Sequence, residues 1–267
     1  MTAPVKTPPA VGALPFDSAT ALSPLSVADR VAEKFDALFA TIDGWRDRIV
    51  GRLELDTAPT ASTLDPFVEA SAVPALEADG LITGSGFVAA PGLLSDAHWH
   101  LAWWLGGAAG IRRLATIDDP SNDQFRDYTT LEWWRFPART GARHLTGPYV
   151  DYVCTDDYTV TITTPVMVGG KLLGVVGMDV LVDRLERELL PLLRAGGPPT
   201  TLVNASGRVV TSTDSRREPG SMLRLDGLEE ALAPLREPVP PPVRTRLPGG
   251  AEVIACGDTS LALVVGL

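Results

Sequence analysis

Apolar residues return at steps of three, four and seven along the first well-patterned stretch, at Val27, Val31, Leu38, Ile42, Trp45 and Ile49. That period predicts one long amphipathic helix, assigned to residues 23–58, with Ser26 and Asp29 as a capping pair at its start. A shorter helix is expected over 64–72, ending ahead of Pro74. The pattern then changes to segments that read as strands at 82–90, 98–106 and 111–118, each closed by Gly, Pro or Asp. The clearest hairpin follows. Threonines alternate with Val160 and Ile162 from residue 158 to 168, Gly169-Gly170 supplies the turn, and 172–180 returns. A helix over 183–193 runs to a Gly-Gly-Pro-Pro boundary at 196–199. Beyond it come a hairpin over 200–213, a short helix near 227–235, a Pro-rich connector at 237–243, and final strands over 244–258 and 260–267. Hairpins and helices are segregated and do not repeat as βαβ units, which predicts an α+β class with antiparallel sheets.

Composition narrows the function classes. With 267 residues, 45% hydrophobic and 21% charged, the chain can bury a substantial core. A net charge of -10 argues against a nucleic-acid partner, which needs clustered positive charge, and suits a cationic ligand. Residues 1–22 read as a flexible tail without the apolar core of a secretory signal. No stretch approaches 18 consecutive apolar residues, so no membrane span is expected and a cytoplasmic location follows as the expectation. Cys154 and Cys256 have no metal-type spacing and read as small buried fillers; neither a metal nor a cofactor is expected.

One motif points elsewhere. In Pro91-Gly92-Leu93-Leu94-Ser95-Asp96-Ala97-His98-Trp99-His100, strand alternation would put Asp96, His98 and His100 on one face, as in the first metal-binding strand of amidohydrolases. That family's barrel needs further histidines on later strands, and only His144 remains. A metal-dependent hydrolase is therefore the third reading, behind two non-catalytic ones. No Gly-x-Ser-x-Gly elbow or Gly-rich phosphate loop is present.

The segment 128–179 concentrates the remaining chemistry. It holds Trp133-Trp134 ahead of Pro137, Gly147-Pro148-Tyr149-x-Asp151, a Thr-rich strand reaching Pro165-Val166, and Gly174-x-x-Gly177-x-Asp179. In this order these features resemble the ligand-binding half of double Cache (dCache, PAS-like) sensor domains. The resemblance spans about residues 25–267. It implies a ligand-binding PAS-like module at 59–196 and a second, smaller one at 197–267. In amino-acid-binding members an arginine stands two residues before the tryptophan; here that position is Leu131, while Trp133, Trp134, Tyr149, Asp151 and Asp179 match the other binding positions.

The residues make a case of their own. Asp179 alternates with Leu173, Val175 and Gly177 in a strand apolar on both faces, which predicts a partly desolvated carboxylate in need of a cationic or hydrogen-bonding partner. Aromatic faces at Trp133, Trp134 and Tyr149, with Tyr128 as a further candidate, would attract an ammonium group. The adjacent tryptophans, read as strand residues, can divide between core and site, and the Trp103-Trp104 pair reads equally as core or site. Leu131 shifts the expected ligand from a free amino acid toward an amine lacking the α-carboxylate, with Arg126, Arg135, Arg139 or Arg143 as possible substitutes for the missing guanidinium. The leading expectation is non-catalytic sensing of a small amine or amino-acid-like metabolite. The alternative is a Cache scaffold that serves as a partner-binding or regulatory subunit, with a regulator or transporter as partner. The long N-terminal helix could pair with a second copy in a homodimer.

Overall fold

The computed structural model describes residues 21–78, 80–107, 110–152 and 157–267. Cys154 lies outside them. Helix α1 (Pro24–Glu54) lies within the 23–58 expected and ends four residues short of it. Pro24 takes the first helical position, where its missing N–H costs nothing, and Ser23, not Ser26, is the cap, accepting from the Ser26 amide at 3.1 Å. Helix α2 (Ala61–Ala78) corrects the expected stop at Pro74, since it runs through both Pro66 and Pro74. Its buried face of Leu64, Val68 and Ala72 packs on the sheet below, and that tertiary burial offsets the roughly 3 kcal/mol cost of an interior proline.

The first sheet contains β1 (Ile82–Ala89), β2 (Leu101–Gly107), β3 (Gly110–Arg113), β4 (His144–Val150), β5 (Tyr158–Val168) and β6 (Lys171–Leu181). Its spatial order is β3-β2-β1-β6-β5-β4, antiparallel throughout. Two strands expected at 98–106 and 111–118 are shorter than the sequence suggested. After helix α4 (Val182–Ala195), the second sheet is formed by β7 (Thr200–Asn204), β8 (Val209–Ser212), β9 (Arg244–Arg246), β10 (Glu252–Ala255) and β11 (Leu261–Val265), in the order β8-β7-β11-β10-β9. A short α5 (Leu228–Leu232) covers its outer face beside Leu247 and Val253.

Alternation along the first sheet separates two environments. Ala102, Trp104, Ile162, Val176 and Met178 face α1 and α2, in a core that continues into the second module through Leu202, Ile254 and Leu263. Leu101, Trp103, Leu105 and Val175 face the other way, toward a separate cluster containing Tyr128, Trp133 and Trp134. The apolar face of α1, from Val27 to Leu53, is buried against its own chain. Both modules also clasp β4 and its approach. Arg143 bridges Asp36 of α1 and Asp258 of the second module at 2.8 and 2.6 Å, with its guanidinium 4.4 Å from the Phe39 ring centre. Asn204 donates to the Gly147 carbonyl at 2.7 Å.

The segment around Asp96 is irregular and not a strand, so Asp96, His98 and His100 do not share a strand face. Asp96 caps α2 by accepting from the Ala61 amide at 2.8 Å, and His100 pairs with Asp65 at 2.6 Å. These residues staple α2 to the sheet. Among the described residues no group of three His, Cys, Asp or Glu side chains is placed to hold a metal.

Candidate ligand-binding site

Strand register assembles the site. One row across the sheet reads Trp103, Gly86, Gly177, Thr163 on β2, β1, β6 and β5; the next reads Leu105, Gly84, Asp179, Thr161. All sit on the face turned away from α1. The glycines make room. A Cβ on Gly84 would lie 2.8 Å from both Asp179 Oδ2 and Trp103 Nε1, and one on Gly177 would meet the Trp103 indole at 3.3 Å. Trp103 therefore lies over a glycine floor with its ring nitrogen turned toward Asp179. Gly84→Ala would push a short buried carboxylate against a rigid indole; a loss of roughly 1–3 kcal/mol in stability is expected, with ligand binding weakened about tenfold or more, both readable by denaturation and calorimetry.

A roof closes over this floor. Tyr128 begins a single helical turn (Tyr128–Thr130), and α3 (Glu132–Thr140) follows. The tryptophan pair is thus helical, correcting the strand reading. Pro137 has no N–H for the carbonyl of Trp133 four residues earlier, and that carbonyl instead accepts from Thr163 Oγ1 at 2.9 Å, tying α3 to β5.

Trp133, Tyr149, Asp151 and Asp179 line one cavity, together with Trp103, Thr161 and Thr163. Tyr128 and Trp134 do not line it. Trp134 packs edge-on to Tyr128 at 5.2 Å, and the Tyr128 hydroxyl donates to the Ala89 carbonyl at 2.7 Å. Trp103 and Trp104, adjacent in sequence, divide between the faces, with Trp103 in the cavity wall and Trp104 under α2 beside Arg113. The sequence signal for Thr161 and Thr163 was the alternation of threonine with Val160 and Ile162, a polar face on an otherwise apolar strand.

The electrostatics are one-sided. Asp179 and Asp151 are 2% and 3% exposed, and among the described residues no Lys, Arg or His lines their cavity. Thr161 donates its single proton to Asp179 at 2.7 Å, so the Tyr149 hydroxyl, 2.7 Å from Thr161, donates into the same chain. Trp103 Nε1 lies near enough to favour the ionised carboxylate but lacks good hydrogen-bond geometry, leaving a buried donor. Burial is the largest influence on Asp179 and the neighbouring Asp151 adds to it; together they push its carboxyl up to about 8 against the Thr161 hydrogen bond and the nearby Trp103 N–H. The arginine candidates are occupied elsewhere or face elsewhere. Arg143 holds Asp36 and Asp258, Arg139 lies over Phe136, Arg135 lines a separate outer hollow, and Arg126 donates to the backbone carbonyls of Asp123 and Phe125. What the cavity offers is two carboxylates, a hydroxyl relay and indole walls.

Residues 114–187, which contain all six sequence candidates, match the model of the first PDC sensor domain of methyl-accepting chemotaxis protein-like receptors. The chain is similar in structure to the extracellular domain assigned to a histidine kinase, soHK1S-Z6, at TM-score 0.61 and 15% identity over 92% of this chain and 91% of that one. It is also similar to the ligand-binding domain of the Pseudomonas fluorescens chemoreceptor CtaA in complex with L-valine, at TM-score 0.55 and 16% identity over 91% and 93% of the two chains. A third similar structure is the ligand-binding domain of the Pseudomonas aeruginosa amino-acid chemoreceptor PctC in complex with GABA, at TM-score 0.50 and 17% identity over 90% and 94%. Among the described residues no helix is long and apolar enough to cross a membrane. With its long leading helix and two antiparallel sheets, the chain has the double Cache (PDC-type) fold.

Proposed function

We propose that this protein binds a small primary amine, without chemical turnover, by seating the ammonium group between Asp179 and Asp151 against Trp103 and Trp133. The observation that carries this reading is the pairing of two buried carboxylates with aromatic walls in a cavity that, among the described residues, no basic side chain lines. The desolvated Asp179 carboxylate favours a cation, and an ammonium that pairs with it lies beside Asp151 while its substituent meets the indole faces. An α-amino acid would bring its own carboxylate within two bonds of the same nitrogen. At this site that group would face Asp151 and Asp179 with no guanidinium to receive it. Leu131 and the engagement of Arg126 and Arg143 by other partners support the amine over the amino acid. Similarity to domains solved with L-valine and with GABA supports small-molecule sensing as the general role. Its readout by a regulator, a transporter or an attached signalling module belongs to the same proposal.

A thermal-shift screen of amines against their carboxylated counterparts tests the reading. Isobutylamine, which is valine without its carboxylate, should raise the Tm at millimolar concentration, and valine should not. Stabilisation by valine but not isobutylamine would reverse the assignment. No shift from any amine would remove it.

A further inference from the structure

The Asp179 cavity is small. Its volume of about 20 Å³ admits little more than one water-sized group, enough for an ammonium head but not for the molecule that carries it. Directly beside it lies a second cavity of about 310 Å³, of the size that holds small ligands. Three features join the two. Leu101 lines both; the consecutive residues Asp151 and Tyr152 line one each; and the stacked rings of Trp133 and Tyr128, 6.3 Å apart and 21° from parallel, also line one each.

The walls of the larger cavity are aromatic and fixed. Trp99 meets Phe125 edge-on at 5.1 Å and Tyr128 at 5.2 Å, so each ring holds the next in place. Tyr152, 76% exposed, stands on another side. The charged residues at this cavity, Asp118 and Arg126, are exposed and of opposite sign, and Arg126 already donates to two backbone carbonyls. This chamber offers flat apolar surface and no net charge.

We infer that the two cavities form one site, in which the inner chamber takes the ammonium head and the outer aromatic chamber takes an uncharged aryl or alkyl tail, so that the ligand class is an elongated primary amine. The inference rests on the amine reading above and adds to it the shape of the ligand. A compact amine such as ethylamine seats its head in the inner chamber and leaves the outer one largely empty; phenethylamine fills both.

Calorimetric titration of the full chain with these two amines tests it. Phenethylamine should bind roughly tenfold or more tightly than ethylamine. Phe125→Ala should weaken phenethylamine by about tenfold and shift ethylamine by less than about twofold. Tyr152→Ala, at an exposed position that folding does not depend on, should show the same selectivity with a smaller effect. Equal affinity of the wild type for both amines, or equal weakening of both by the two variants, would overturn the two-chamber site while leaving the ammonium site standing. Failure of both amines to bind would overturn the two together.

Discussion

Asp179→Asn is expected to lose amine binding by roughly 30-fold to several thousand-fold, the consequence of removing one partner from a desolvated charge pair, while the folded protein becomes more heat-stable at pH 8. The two effects have a common cause. Asp179 is buried, its carboxyl is raised by burial and by Asp151, and ionising it in the folded protein is unfavourable until a cation arrives. Asparagine keeps the shape and still accepts from Thr161, but carries no charge to desolvate. A rise of about 2–4 °C in Tm follows for each kcal/mol recovered. A variant that binds isobutylamine as well as the wild type does would exclude Asp179 from the site. One that is less stable at pH 8 would mean that the carboxylate holds the fold together and does not strain it.

The second large effect is on pH. In the unfolded chain the Asp179 carboxyl titrates near the ordinary value of about 3.9, and in the folded chain near 8. Between those values the folded state holds a proton that the unfolded state has lost, so stability falls as pH rises from about 4 to about 8 and levels off above. Binding has the opposite slope. An ammonium displaces that proton, so affinity should strengthen by up to tenfold per pH unit until about pH 8, with up to one proton released per amine bound. Titration in two buffers of different ionisation enthalpy measures the release directly. Asp179→Asn should flatten the stability profile across this window, and an unchanged slope would assign the proton to another group.

How much of this was legible in the sequence depended on range. The β5–β6 hairpin was readable almost residue for residue, because threonine–aliphatic alternation and a Gly-Gly turn are local signals. Asp179 was readable as a buried carboxylate for the same reason. The helical state of Trp133 and Trp134 was not, since α3 is nine residues long with Pro137 inside it, and its stability comes from packing on β5 through Thr163. Trp103 emerged as a wall of the site only through register, which places it beside Gly86 and Gly177 from three separate strands. The continuation of α2 through Pro74 and the work of Asp96 and His100 as staples are likewise tertiary facts that no period or motif encodes.

An ammonium group seated between Asp179 and Asp151 would be visible in a ligand complex. A crystal structure with isobutylamine bound tests it most directly. The ligand nitrogen is expected about 3 Å from a carboxylate oxygen of each aspartate, with the carbon chain against Trp103 and Trp133 and leading toward Leu101. Ligand density anywhere else, or a nitrogen turned away from both carboxylates, would contradict it.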